Sequence, residues 1–180
     1  MLNLIGTSKN GINFYKHQVA SHSHRPDLDA EVISHLDVKE GQTFLRETVD
    51  LGRIVGVDHL VKTTQDDHCT YMVRGNRAGA TRFVLDREAE PTTKVTIVAC
   101  VDRDPGETQG LWCLVTLFEG EPGEREPWDA SLKTEEAKAK AKSFWRNHAL
   151  VPTEEEMEQI NKMLEYRQER LAYMYGIEMH

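Results

Sequence analysis

The sequence lacks the short motifs by which several enzyme classes are recognised. It contains no Walker-type phosphate loop, no GxGxxG fingerprint, no HExxH or GxSxG motif and no CxxC pair. Nucleotide hydrolysis, dinucleotide binding and zinc proteolysis commonly depend on such motifs. Any chemistry must therefore come from single residues that the fold brings together.

Cysteines and long apolar runs are also scarce. The three cysteines are an odd number, and they lie inside strand-like runs at Cys69, Cys100 and Cys113. This pattern is typical of small buried side chains in a reducing compartment. No apolar stretch approaches the length that crosses a bilayer, and the first ten residues have no apolar core or cleavage site. We therefore expect a cytoplasmic protein without a membrane partner.

Acidic residues outnumber basic ones. The chain of 180 residues has 30 acidic and 22 basic side chains, which gives a net charge of −8. This charge disfavours broad, non-specific binding to nucleic acid, but it is compatible with a small basic pocket. The length favours a single domain over residues 1–180, with a core at about residues 27–150.

Local patterns predict helices at both ends and strands in the middle. Two helices are expected near residues 27–36 and 42–52, and two more from Thr134 and Thr153. Alternation and turn residues predict four strands within Cys69–Glu119. Their approximate bounds are His68–Arg74, Ala80–Asp86, Lys94–Arg103 and Leu111–Glu119. The predicted fold class is α+β, with N-terminal helices, a four-stranded antiparallel β-meander and C-terminal helices.

The last predicted helix, within residues 151–180, carries an apolar stripe. Its members are Met157, Ile160, Leu164, Leu171 and Met174. Such a stripe docks on the domain or, alternatively, forms a homodimer contact through residues 153–175.

Two histidines border the strand series. His59 follows Asp58, and strand alternation would place it on the face of Val61, with Lys62 opposite. His148 is expected late in a helix, one turn after Trp145. Its imidazole either packs against that tryptophan and bonds a backbone carbonyl, or takes part in proton transfer.

Other polar residues of the strand series could bind an anion or move a proton. Arg82 stands in an otherwise apolar run beside Thr81 and has the forked geometry that phosphate binding uses. A solvated arginine on an edge strand is the alternative. Glu119 ends the last strand and could serve as a base or cap the following turn.

A second histidine group lies near the N-terminus. His22 and His24 form an HxH pair, and Asp27 follows, which is a possible set of metal ligands. Structural or solvent-exposed histidines are the alternative, and we expect no cofactor.

Several segments together carry a resemblance to known proteins. They resemble bacterial and phage-borne proteins whose layout is similar to the barnase–EndoU–colicin–RelE superfamily of metal-independent ribonucleases and toxins. The similarity covers roughly residues 50–150. The segments that carry it are Val57–Leu60, Tyr71–Arg74, Thr81–Val84, Thr96–Val98, Thr116–Gly120, Glu126–Asp129 and Phe144–Leu150.

The resemblance implies a toxin-like endoribonuclease with an RNA cleft on the sheet. A base takes the ribose 2′-OH proton, the oxygen attacks phosphorus, and an acid protonates the leaving 5′-oxygen. It implies His59 and His148 as this pair and Glu119 as a reserve base. It further implies that Arg82 and Lys62 bind the phosphate while Thr81 positions it, and that an antitoxin is a conceivable partner.

Two other functions remain open from the sequence. The chain could be a non-catalytic, protein-binding accessory protein of a phage or mobile element, which would present an exposed apolar patch. It could also be a metal-dependent hydrolase that uses His22, His24 and Asp27.

Overall fold

The structure is a computed structural model that describes residues 2–17, 22–75 and 77–175. Within these ranges it describes all side chains except those of His22, Glu169 and residues 171–175. The chain divides into two compact units. The first unit comprises residues 1–58 and 89–123, and the second comprises residues 59–88 and 124–180.

The first unit is built on a mixed sheet. In chain order its strands are β1 (Leu4–Thr7), β2 (Asn13–Lys16), β3 (His22–Ser23), β4 (Phe44–Asp50), β10 (Lys94–Val101) and β11 (Trp112–Glu119). Five of them run in the order β1-β2-β11-β10-β4. β11 pairs antiparallel with β10 on one side, and on the other it pairs in parallel with β2 and then β3.

One short helix, α1 (Asp29–Ser34), contributes to the core of the first unit. Its residues Val32 and Ile33 have no exposed surface, and they belong to one apolar cluster with Phe14, Ile97 and Leu117. A separate two-stranded sheet pairs β5 (Gly56–Asp58) with β9 (Glu90–Thr92).

The second unit has a four-stranded sheet and two helices. The sheet order is β6-β12-β8-β7. The strands are β6 (Leu60–Lys62), β7 (Cys69–Val73), β8 (Ala80–Val84) and β12 (His148–Leu150), and the helices are α2 (Glu135–Arg146) and α3 (Glu154–Tyr175).

Helix α3 covers part of one face of this sheet. Ile160 has no exposed surface, and it packs with Met72 and Phe83 while Met163 and Leu164 border the cluster. Full burial of a side chain of this kind contributes about 1.5–3 kcal/mol each. Of the predicted stripe, Leu171 and Met174 lie outside the described side chains.

The predicted fold class is wrong. The described chain is mixed α/β with three helices and three sheets, not N-terminal helices followed by one four-stranded meander. The four predicted strands within Cys69–Glu119 do form. However, β7 and β8 belong to the sheet of the second unit, whereas β10 and β11 belong to that of the first.

The helix predicted over residues 42–52 is also wrong, because this segment is strand β4. Seven residues, Phe44–Asp50, pair with Lys94–Cys100 of β10. β4 lies at the end of the strand order, and Leu45 is its only buried residue. Its sequence therefore shows little of the apolar–polar alternation that predicts a strand. Pairing with a strand about fifty residues away therefore outweighs the local helical pattern.

Local signals were more reliable for the last two helices. Thr134 caps α2 by accepting a hydrogen bond from the backbone N–H of Ala137 at 3.1 Å. The predicted capping box is formed before α3: Glu156 Oε2 accepts from the Thr153 N–H, and the Thr153 hydroxyl accepts from the Glu156 N–H. Within the described residues, none of the helices combines the length and apolar character of a membrane span.

Candidate functional site

The two predicted acid–base histidines lie on opposite faces of the second unit's sheet. His148 begins β12 rather than ending a helix, and it pairs with Lys62, while Ala149 pairs with Val61. Cross-strand partners share a face, and successive side chains alternate between faces. His148 therefore shares the face of Lys62. His59, two residues before Val61, lies on the other face.

Each of these imidazoles bonds a backbone carbonyl. His59 Nδ1 lies 2.8 Å from the Val151 carbonyl oxygen, and His148 Nδ1 lies 2.9 Å from that of Phe144. The His148 ring also stacks on Phe144, with 4.0 Å between ring centroids. Because a carbonyl only accepts, Nδ1 must carry the proton in both rings. The His148 contact links the start of β12 to α2, and the His59 contact links His59 to the residue that follows β12. Both contacts use Nδ1 and not Nε2.

Arg82 points toward the C-terminal end of α2. Its Nη1 lies 2.9 Å from the Thr63 hydroxyl and 3.1, 2.9 and 3.2 Å from the carbonyl oxygens of Trp145, Arg146 and His148. Carbonyls at a helix C-terminus lack intrahelical donors and attract a cation. The guanidinium of Arg82 thus donates to carbonyl oxygens at the end of α2. This structural role is an alternative to the predicted role in phosphate binding.

Thr81 belongs to a buried polar group that we call the Glu126 cluster, namely Arg74, Thr81 and Glu126. Thr81 is fully buried and Glu126 is 9% exposed. Arg74 Nε, Thr81 Oγ1 and Glu126 Oε1 are buried and have no hydrogen-bond partner among the described residues, although Arg74 Nη1 pairs with Glu156 at 3.3 Å. Burial raises the pKa of Glu126, while the nearby Thr81 hydroxyl and Arg74 oppose the shift. Sequence reasoning missed Glu126, because nothing in its polar loop marks a buried carboxyl group.

Substitution of Glu126 by glutamine is expected to stabilise the protein at neutral pH. The folded-state pKa of Glu126 is above the unfolded one, so the contribution of this group to stability is fully present below the unfolded pKa and is lost as pH rises through the folded-state pKa. Glutamine removes the buried charge and this pH dependence. We expect a gain of about 1 kcal/mol at pH 7 and none at pH 4, measured by urea denaturation. Glu88→Gln is the control, and an equal gain at both pH values would contradict the reasoning.

Glu119, the reserve base, is held by other groups of the first unit. It forms an ion pair with Arg25, and its Oε2 accepts a hydrogen bond from the Val57 N–H at 3.2 Å. A Cβ at Gly56 would overlap with this carboxylate, so glycine permits the close approach. Since Glu119 lies in the first unit and the histidines in the second, the structure gives no geometry for a joint role.

The predicted N-terminal metal ligands are only partly described. Asp27 binds Arg25, which donates from Nε at 3.0 Å and from Nη2 at 2.8 Å. His24 is exposed, and the side chain of His22 lies outside the described residues. The described part of this set therefore shows an ion pair rather than a group of ligands around one point.

Another set of possible metal ligands lies in the first unit. His17, Asp102 and Asp104 place one ligand atom each within 4.8 Å of one another. His17 Nε2 lies 3.3 Å from Asp102 Oδ2. Sequence reasoning missed this group, since His17 and Asp102 are 85 positions apart in the chain. The Asp-x-Asp spacing after a strand was the available signal.

An apolar strand edge is the remaining feature of the second unit. β7 ends the strand order of its sheet, and the side chains of Tyr71 and Val73 are 56% and 52% exposed. Their neighbour Met72 is 5% exposed and faces α3. The five residues of β7 carry no charge. An uncharged, apolar edge is a surface on which another strand can pair.

The comparisons with known proteins add no relative. No protein-family model matches the chain, and no match was found among the curated proteins or among the solved structures.

Proposed function

We propose that the chain is a non-catalytic binding protein that pairs the edge strand β7 with an extended segment of a partner protein. The observation that carries the proposal is the exposure of Tyr71 and Val73 on an uncharged edge strand. Strand addition takes its affinity from backbone hydrogen bonds and its specificity from alternate side chains.

The hydrogen-bond phase of the hairpin favours this use of β7. The Leu85 N–H bonds the His68 carbonyl at 2.8 Å, and antiparallel ladders repeat every two residues. Thr70 and Met72 therefore direct their backbone groups toward β8. Tyr71 and Val73 direct their backbone N–H and C=O groups away from β8. The residues whose backbone groups face the open edge are therefore the same two whose side chains are exposed.

The partner segment is expected to be extended, apolar and part of a basic protein. Its side chains would pack over Tyr71 and Val73, which calls for β-branched or aromatic residues at alternate positions. The net charge of −8 speeds the approach of a positively charged protein and opposes the pairing of two copies of this chain. A cytoplasmic location is part of the proposal, in keeping with the free cysteines Cys69, Cys100 and Cys113.

Selection from a library of displayed peptides tests the proposal directly. Peptides selected on the whole protein should be extended and apolar, and Tyr71→Lys and Val73→Lys should each weaken their binding at least about tenfold. Ile54→Lys is the matched control, because Ile54 is 71% exposed but lies in the first unit. Methylation of alternate peptide amides should also abolish binding, because it removes the hydrogen bonds of the strand.

Two outcomes would overturn this assignment. Selected peptides that bind equally well to the Tyr71→Lys and Val73→Lys variants would place the binding surface elsewhere. A concentration-dependent dimer in sedimentation that Tyr71→Lys dissociates would replace the partner with a second copy of the chain. A dimer that persists in Tyr71→Lys would instead favour the contact predicted through residues 153–175.

The ribonuclease function stays a prediction with its own test. It requires His59 and His148 to act on one substrate, and the alternation of the strands separates their side chains. Incubation with mixed transfer, ribosomal and messenger RNA, with and without chelator, is expected to leave the RNA intact. Cleavage that is lost in His148→Ala would instead favour the ribonuclease.

A further inference from the structure

His17, Asp102 and Asp104 form a group that the binding function does not use, and we call it the His17 cluster. His17 directly follows β2, and Asp102 directly follows β10. Each therefore comes from the end of a strand in the first unit's sheet. Asp104 lies in the turn that leads to β11.

The strand register brings the first two residues to one face of the sheet. Tyr15 of β2 pairs with Cys113 of β11, which pairs with Cys100 of β10. His17 and Asp102 each lie two residues after one of these partners. Alternation thus directs both side chains to the face of the cysteines.

Hydrogen bonds fix the Asp102 carboxylate in its orientation. The backbone N–H of Asp104 donates to Asp102 Oδ1 at 3.0 Å, and the Thr108 hydroxyl donates to Oδ2 at 2.5 Å. The Gly110 N–H bonds the Asp102 carbonyl at 2.8 Å and closes the loop. Ligands of metal sites are commonly held by outer hydrogen bonds of this kind.

The burial of Asp102 calls for a cation. It is 7% exposed, and among the described residues its carboxylate lies 3.3 Å from the imidazole of His17. Buried carboxylates are paired or coordinate metals. The exposed carboxylate of Asp104 lies within 4.8 Å of the same ligand atoms of His17 and Asp102. An ion pair between His17 and Asp102 does not require this second carboxylate.

We propose that the His17 cluster binds a first-row divalent metal ion, with Zn²⁺ as the closest fit. Imidazole nitrogen and carboxylate oxygen bind zinc at about 2.0–2.2 Å, so ligand atoms in a tetrahedral site lie roughly 3.4 Å apart. The His17 Nε2 to Asp102 Oδ2 distance of 3.3 Å agrees with this value. Three protein ligands leave a fourth position for water, which is the arrangement of open rather than closed zinc sites.

Titration of the whole protein with Zn²⁺ tests the proposal. We expect a single strong site with a Kd below about 10 μM. His17→Ala and Asp104→Asn should each weaken it at least about tenfold, and Thr108→Val should weaken it to a lesser extent. Asp104 is exposed, so its substitution should leave the fold intact even if an Asp102 variant does not fold. Co²⁺ in place of Zn²⁺ should give a tetrahedral visible spectrum that Asp104→Asn abolishes.

Control variants distinguish this site from the alternatives. His35→Ala, in an exposed histidine of the same unit, should leave Zn²⁺ binding unchanged. Loss of binding in His24→Ala but not in His17→Ala would place the metal at the N-terminal HxH pair instead. No Zn²⁺ binding at about 100 μM, or binding equal in Asp104→Asn, would overturn the proposal and leave His17 and Asp102 as an ion pair.

Discussion

Replacing Arg82 with methionine is expected to lower the free energy of unfolding by about 3 kcal/mol. Arg82 Nη1 is the donor placed among the Thr63 hydroxyl, two carbonyl oxygens at the end of α2 and the carbonyl oxygen of His148 in β12. A hydrogen bond from a charged donor contributes about 1.5–3 kcal/mol, and a cation near a helix C-terminus adds up to about 2 kcal/mol. Methionine keeps most of the side chain's apolar length but leaves these acceptors without the donor. Urea denaturation followed by circular dichroism measures the change.

Two further variants separate the structural role of Arg82 from a role in phosphate binding. Arg82→Lys keeps the charge but not the forked donor group, so about half of the loss should remain. Arg46→Met is the matched control, since Arg46 is exposed and bonds one carbonyl, that of Gly123 at 3.0 Å. Its substitution should cost less than about 0.5 kcal/mol. An Arg82→Met protein as stable as the wild type would contradict the capping role and make a ligand contact the better explanation.

Replacing Gly79 with alanine is expected to destabilise the second unit by about 3 kcal/mol. A Cβ at this position would overlap with the Trp128 ring. The ring is rigid, and its Nε1 donates to the Ala80 carbonyl oxygen at 3.1 Å, so it cannot move without losing a hydrogen bond. The alanine therefore forces either the backbone or the indole out of place.

Gly106→Ala provides the control for Gly79→Ala. Gly106 has open space around its Cβ position and a backbone conformation that other residues adopt, so this change should lie within about 0.5 kcal/mol of the wild type. In a Trp128→Leu background, which has a smaller side chain, Gly79→Ala should cost at least about 1 kcal/mol less. An equal cost in both backgrounds would show that the indole is not the cause.

The second unit shows how far sequence reasoning can locate a site. His59 and His148 were predicted at the borders of the strand series and Arg82 within it, and all three lie in one sheet or beside it. The sequence could not show that His59 and His148 face opposite sides, because this depends on the pairing of His148 with Lys62. A shift of that register by one residue would exchange the faces. Joint proton transfer by the two histidines therefore depends on a long-range pairing that no local pattern encodes.

Buried polar groups were equally hidden from the sequence. Glu126 follows a loop of glycine, proline and glutamate, a composition that indicates exposure. Its carboxyl group is nevertheless buried beside Thr81 and Arg74, with a raised pKa. Likewise, His17 and Asp102 lie 3.3 Å apart although they follow strands β2 and β10, which are distant in the sequence and border β11 on opposite sides.

The sequence by itself determined the elements whose signals are local. Thr134 and the Thr153–Glu156 capping box located the starts of α2 and α3, and the turn after Arg74 located the β7–β8 hairpin. These signals act within a few residues, so they hold in any tertiary context that leaves the segment intact.

The tertiary structure alone decided how the strands are assigned to sheets. It split the four strands predicted within Cys69–Glu119 between two sheets, made a strand of Phe44–Asp50, and placed β12 between β6 and β8. The physical reason is that strand pairing joins residues far apart in the chain, and its energy comes from neighbours that a strand's own sequence does not name. The faces of the histidines, the edge of β7 and the His17 cluster all follow from that pairing.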